Sequence, residues 1–253
     1  MTLIDAAVVL PKLAFITAWN LEDLGEPHPV LGTNQHYFMT EDFRRTVRNR
    51  TLDLLGERRL ARRGAISPLL VDTLTTIADA DREFYGWSTV SGRPGDAGAA
   101  LVAARDHDAI RAVVTDQVVL LEPVPGRGLA ARFVETLPPV PGAVTRSVVV
   151  SRAQPDGAGR SAFAEPADTR DLDHLHAVMT APRDAVHQLY TAIRTGTGTR
   201  RRSLPITALD VTGEGRIVTY LNDDPDTGAE CVNLRSGSPA ALTRLLETTN
   251  QTL

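Results

Sequence analysis

"ALVAARDHDAIRAVVTDQVVLLEPV", Ala100 to Val124, strings apolar runs together with only a few polar residues between them. The runs "AALVAARD" (Ala99 to Asp106), "AIRAVVTD" (Ala109 to Asp116) and "QVVLLEPV" (Gln117 to Val124) are rich in β-branched and aliphatic side chains. "EFYGWSTV" (Glu83 to Val90) precedes them, and "SGRPGDAG" (Ser91 to Gly98) and "DHD" supply turns. Strands of this composition, joined this closely, predict an antiparallel meander.

Helices are expected on both sides of it. Downstream, "GLAARFVETL" (Gly128 to Leu137) reads as a helix closed by Pro138 and Pro139. Upstream, Ser67 and Pro68 supply an N-cap and a first-turn proline, and Leu70, Val71, Leu74 and Ile77 form an apolar stripe for the core. Before that, Thr40 caps an amphipathic helix carrying Phe43, Val47, Leu52 and Leu55, which ends near Gly56 or runs on to Gly64. Its arginines, from Arg44 to Arg63, are spread around the helix among Asp42, Asp53 and Glu57, as on a solvated face.

Beyond Pro138 the chain becomes proline- and glycine-rich as far as Arg170, with "SVVVS" as one strand. A helix from about Asp171 to Ala192 is expected next, then the strands "SLPITALDV", "GRIVTYLND" and "ECVNLRS", and a last helix capped by Ser238 and Pro239. Pro205 suggests an edge position for the first of these strands. Both parts run helix, strands, helix, and their closing helices share "RFVET" (Arg132 to Thr136) and "RLLET" (Arg244 to Thr248). We expect a single domain of two quasi-equivalent halves, about 41–140 and 170–250, from an internal duplication, joined by a connector over about 138–170.

Composition bounds the function. With 253 residues and 42% hydrophobic content the chain can bury a sizeable core. Its 27 basic residues are outweighed by 31 acidic ones, so no general attraction to nucleic acid or anionic membrane is expected. Cys231, the only cysteine, excludes an internal disulfide and multi-cysteine zinc sites, and fits a reducing compartment. The opening "MTLIDAAVVLPKLAFITAW" has Asp5 where a leader needs positive charge, and Pro11 and Lys12 break its apolar run, so we read it as mature structure. A cytoplasmic protein is expected.

Candidate chemistry is sparse. "GRGLAA" (Gly126 to Ala131) satisfies a G-x-G-x-x-A pattern between a strand and a helix, but prolines precede the glycines and the next strand ends in Ser151 and Arg152, without the acid that would hold a ribose. His174 and His176, two apart on a helix, face different ways, and His187 lies too far along to share a metal with them. His28, between prolines, reads as part of a rigid turn. No G-x-S-x-G elbow is present, and Cys231 sits in a strand as a buried thiol would. "TRRRSLP" (Thr199 to Pro205) reads as a loop entering a strand, since no aromatic residue stands beside its arginines in sequence.

Four stretches resemble the EspG family, the cytosolic specificity chaperones of type VII (ESX) secretion in actinobacteria. They are "FITAWNLEDLGEPHPVL" (Phe15 to Leu31), "LLGERRLARRGAISPLLVDTLTTIADADREF" (Leu54 to Phe84), the meander from Ala100 to Val124, and "GTRRRSLPITALDVTGEGRIVTYL" (Gly198 to Leu221). The resemblance implies an α+β fold with a central antiparallel sheet, flanking helical bundles and pseudo-twofold halves. It implies capture of the tip of a PPE-type subunit in a PE/PPE heterodimer, with no catalytic residue, metal, cofactor, nucleic acid or membrane insertion. A homodimer is compatible with it. For the partner surface we select Tyr85, Trp87, Arg93 and Pro94, a loop tip beside an aromatic strand, with a core role for Trp87 as the alternative. Two other classes stay open: a nucleic-acid binder using Arg44 to Arg63 with Arg200 to Arg202, and an NAD(P)-dependent enzyme using "GRGLAA".

Overall fold

The computed structural model describes residues 2–32, 40–91, 97–151, 166–196, 198–223 and 228–253. From the N-terminus, β1 (Val8–Pro11) leads into α1 (Lys12–Leu21) and a 3-10 turn (Pro29–Leu31). Helices α2 (Glu41–Glu57) and α3 (Pro68–Ala78) flank a small hairpin of β2 (Ala61–Arg62) and β3 (Ala65–Ile66). The meander follows as β4 (Arg82–Val90), β5 (Gly98–Arg105), β6 (Asp108–Val114) and β7 (Val118–Pro125), closed by α4 (Leu129–Val134). After β8 (Val148–Ser151) come α5 (Pro166–Thr180), β9 (Arg183–Arg194), β10 (Arg200–Arg202), β11 (Ile206–Val211), β12 (Gly215–Asp223), β13 (Glu230–Ser236) and α6 (Pro239–Gln251).

The fold is α+β. One 11-stranded sheet runs β1-β7-β6-β5-β4-β9-β11-β12-β13-β8, with β10 pairing beside the end of β9. Its pairings are antiparallel throughout. Outward from the β4–β9 pair, each side meets three further strands in chain order and then a short edge strand. Helices α4 and α6, which follow β7 and β13, pack together with Phe84, Val102, Leu189 and Ala208 on one face. The opposite face holds α1 and α3, through Phe15, Trp19, Leu70 and Leu74, against Tyr85, Leu101 and Leu121. Helix α5 covers that face toward β8, with Val178 against Leu209, Val211 and Leu234.

Two expectations are corrected. The helix expected from Asp171 to Ala192 stops at Thr180, and the rest is a strand. Pro182 has no N–H to continue the helix. Past it Ala185, His187, Leu189 and Thr191 are buried in alternation, the period of a strand. The strand after Pro205 is not an edge either, because β11 lies between β9 and β12. Pro205 stands just outside it, where no ladder hydrogen bond is required of it. Of the connector, residues 152–165 lie outside the described residues.

Candidate functional site

Strands β4 and β9 put different chemistry on the two faces of the sheet. Tyr85 lies directly across from Tyr190, and Ser88 directly across from His187. Because side chains alternate along a strand, the tyrosines project toward α1 and α3, and Ser88 and His187 toward α4 and α6.

On the first face the rings form a cluster. Tyr85 stacks on Tyr190 with centroids 5.4 Å apart and planes at 13°, and Trp87 meets both edge-on at 5.8 and 5.7 Å. The arginine triplet is itself the strand β10, with Arg202 opposite Ala192 and Arg200 opposite Arg194. That register sets the Arg200 guanidinium 5.3 Å from the Tyr85 ring centre and that of Arg202 5.0 Å from the Tyr190 ring centre. Aromatic neighbours absent from the local sequence are thus supplied by the fold. Each such cation–π contact contributes roughly 0.5–1 kcal/mol at a partly exposed site.

Buried Glu83 fixes the inner end of the cluster. Arg200 donates to its Oε2 from Nε at 2.9 Å and from Nη2 at 2.6 Å. His28 caps the 3-10 turn by accepting at Nδ1 from the Val30 N–H, and its Nε2 lies 2.9 Å from Arg200 Nη2 and 3.4 Å from Glu83 Oε2. Burial alone would raise the Glu83 pKa, but the hydrogen bonds and charges of His28 and Arg200 outweigh it and hold the carboxyl below its ordinary value. Arg200 is held protonated in turn: burial opposes the charge, and Glu83 overcomes that. His28 is therefore a turn residue, as its flanking prolines suggest, and also a wall of this cluster.

The selected residues meet different fates. Tyr85 is 2% exposed and so belongs to the core of the patch, whereas Trp87 and Tyr190 are half-buried and Arg202 is exposed. Arg93 and Pro94 lie outside the described residues. The partner surface selected from sequence left out Tyr190, and Arg202 entered the sequence reading only with the arginine triplet. The strand period over Arg183–Arg194 was the signal that could have found Tyr190.

The second face carries a polar row that sequence spacing did not indicate. The Ser88 hydroxyl lies 2.7 Å from His187 Nδ1, and His187 Nε2 lies 3.0 Å from Asp210 Oδ2. Arg216, across from Asp210 on β12, donates to Oδ1 at 2.6 Å and Oδ2 at 2.8 Å, and to the Pro138 carbonyl at 3.1 Å. His187, Asp210 and Arg216 are at most 3% exposed. His187 is thus buried in the sheet, not on a helix, while His174 bonds to the Thr145 hydroxyl at 2.9 Å. Asp210 stays ionised. Burial would raise its pKa, but hydrogen bonds from His187 and Arg216 pull it down to about 2.

"GRGLAA" acquires a packing explanation. A Cβ at Gly126 would overlap the His107 carbonyl in the β5–β6 turn, and Gly128 takes a left-handed φ of 63° to start α4. The sheet around it is antiparallel, whereas a dinucleotide turn is built into a parallel crossover. Among the described residues no cluster of His, Cys, Asp and Glu is disposed to hold a metal, and no helix is long and apolar enough to cross a membrane. Cys231 is buried in β13.

A family model described as the EspG family matches residues 11–248, from the last residue of β1 into α6. The chain belongs to the EspG family. Its members are chaperones associated with ESX secretion, a chaperone family and not an enzyme family. No curated protein matches the chain at a significant level. The EspG match takes in both sheet faces, and so the aromatic cluster and the polar row alike.

Proposed function

We propose that this EspG-family chain is a cytosolic specificity chaperone that captures a PPE-type subunit of a PE/PPE heterodimer, keeps it soluble and passes it to the type VII secretion machinery. The proposed contact surface is the outer rim of the aromatic cluster, Trp87 with Tyr190 and Arg202, to which we add Arg93 and Pro94 of the segment that follows β4 in sequence. The observation that carries this choice is a half-buried Trp and Tyr held edge to face under an arginine. Rigid aromatics and arginine dominate protein interfaces because they bury much area while losing little conformational freedom. An apolar helical tip is an aggregation hazard until something covers it, and covering it needs complementarity and no turnover.

The test is a tagged pull-down from the host cytosol, followed by calorimetry on the recovered client. A helical PPE-like client in near-stoichiometric yield is expected. Trp87→Ala should weaken it about 30-fold, roughly 2 kcal/mol, and lower the melting temperature as well because Trp87 packs against the core, whereas Arg202→Ala, at an exposed position, should weaken it at a nearly unchanged melting temperature. Recovery of nucleic acid or a nucleotide cofactor in place of a client would reopen the other two classes. Wild-type affinity in Trp87→Ala and Arg202→Ala would move the contact surface elsewhere.

A further inference from the structure

The polar row opens onto a cavity of about 200 Å³ between the sheet and α4. Its walls are mostly apolar, from Val90, Ala100, Val113, Phe133 and Leu137, and its polar groups are Ser88, His187 and Thr136. The Thr136 hydroxyl already donates to the Phe133 carbonyl at 2.7 Å. Ser88 is half-buried and lines the wall, with its hydroxyl 2.7 Å from His187 Nδ1.

Proton positions follow from the partners. Asp210 is ionised and can only accept; Arg216 Nη2 also lies 3.4 Å from His187 Nε2, but its two protons go to Asp210 Oδ2 and the Pro138 carbonyl, so Nε2 donates to Asp210. Arg216 already balances the Asp210 charge, so a further proton on the ring would add a buried charge without a counter-charge. Nδ1 then presents a lone pair to the Ser88 hydroxyl at 2.7 Å. This is the relation of nucleophile, base and orienting acid that defines a serine triad by geometry, independent of fold and chain order, here with the two ring nitrogens exchanged.

We propose that Ser88 is an activated nucleophile, with His187 as its general base and Asp210 as the positioning residue, and that the cavity admits the acyl group of a small ester which Ser88 takes up covalently. Ser88 Oγ bonds to the carbonyl carbon as its proton passes to His187 Nδ1. The bond from that carbon to the leaving oxygen breaks, and the departing alkoxide or phenolate takes the proton from Nδ1. Water then gives a proton to His187 Nδ1 as its oxygen bonds to the acyl carbon; the bond from that carbon to Ser88 Oγ breaks, the acid leaves, and Nδ1 returns the proton to Oγ. Among the described residues the cavity lining leaves no side-chain donor uncommitted for the oxyanion, and one such donor is worth roughly 100- to 1,000-fold in rate. The substrate class is accordingly esters with good leaving groups, and amides are excluded. This inference is independent of the chaperone reading.

The test is labelling of the full chain with a fluorophosphonate probe and with p-nitrophenyl butyrate, the modified residue being located by peptide mass spectrometry. Label on Ser88, its loss in Ser88→Ala, and a drop of at least 100-fold in His187→Gln are expected. Asp210→Asn, which removes the group holding the ring's tautomer, should lower the neutral-pH rate at least 100-fold and shift the pH–rate profile, which a purely structural role would not do. Where the buried variants fail to fold, Ser88→Cys keeps the question open to measurement: its thiol should react with iodoacetamide at neutral pH at least tenfold faster than an ordinary cysteine. A folded wild-type protein unlabelled at Ser88, or a Ser88→Cys thiol of ordinary reactivity, overturns the proposal.

Discussion

Asp210 is the residue whose removal the fold should tolerate least. Its carboxylate accepts from Arg216 at both oxygens and faces His187, all within a 3% exposed site. Truncating it leaves Arg216 buried without a counter-charge, and breaking such a pair costs roughly 3–5 kcal/mol. Urea unfolding of Asp210→Ala should show a loss of that size. The same carboxyl sets an acid limit. Its pKa falls from 3.8 when unfolded to about 2 when folded, so the stabilisation is complete above the unfolded value and disappears as pH falls through the folded one. The difference is worth roughly 2 kcal/mol. Between pH 4 and 2 the midpoint should fall more steeply in the wild type than in Asp210→Asn. Gly86 makes a steric demand nearby, since a Cβ there would stand 2.5 Å from the Gln188 carbonyl oxygen across the β4–β9 pair. Backbone on both sides cannot yield as a side chain would, so Gly86→Ala should cost roughly 1–3 kcal/mol in the same assay.

Among the elements, α3 shows most plainly how local chemistry sets a boundary. The Ser67 hydroxyl accepts from the Leu70 N–H, Pro68 fills the first turn, and Leu70 and Leu74 below them are fully buried. Ser67→Ala should therefore cost about 1 kcal/mol, seen as a lower urea midpoint, without altering the fold. Signals of this kind, carried by neighbours in sequence, were legible: the caps at Ser67 and Ser238 and the four strands of the meander, while of the two ends left open for α2, near Gly56 or at Gly64, the helix takes the first. What was not legible depended on register. Nothing in the spacing of Ser88, His187, Asp210 and Arg216 joins them, because three separate strand pairings bring them together. The arginine triplet looked short of aromatic partners for the same reason, since Tyr85 and Tyr190 reach it from other strands. Over "RDAVHQLYTAIR" the alternation and Pro182 were both present, and reading the segment as helix gave too little weight to the proline.

At the scale of the whole molecule, the strand order repeats on either side of β4 and β9, with α4 and α6 in equivalent places. The duplication proposed from "RFVET" and "RLLET" draws support from that order and remains a proposal. A sheet this wide ends in two edges, each a standing invitation to pair with another chain. Both are short: β1 and β8 have four residues each. They are not equally guarded. Strand β1 ends in Pro11, which has no N–H to offer, and Leu10 is fully buried against the core. Val9 on β1 and Val149 on β8 are similarly exposed, 49% and 51%, but β8, "VVVS", has no proline. Self-association should therefore start at β8. Val149→Lys places a charge on that edge without emptying any core position, so light scattering at rising concentration should show less association at an unchanged melting temperature. Leu10→Ala should act oppositely: loss of a fully buried leucine costs roughly 2–5 kcal/mol and loosens β1 from β7. Equal association in the wild type and Val149→Lys, with Leu10→Ala no worse, would mean that contacts between molecules form on the faces and not at the edges.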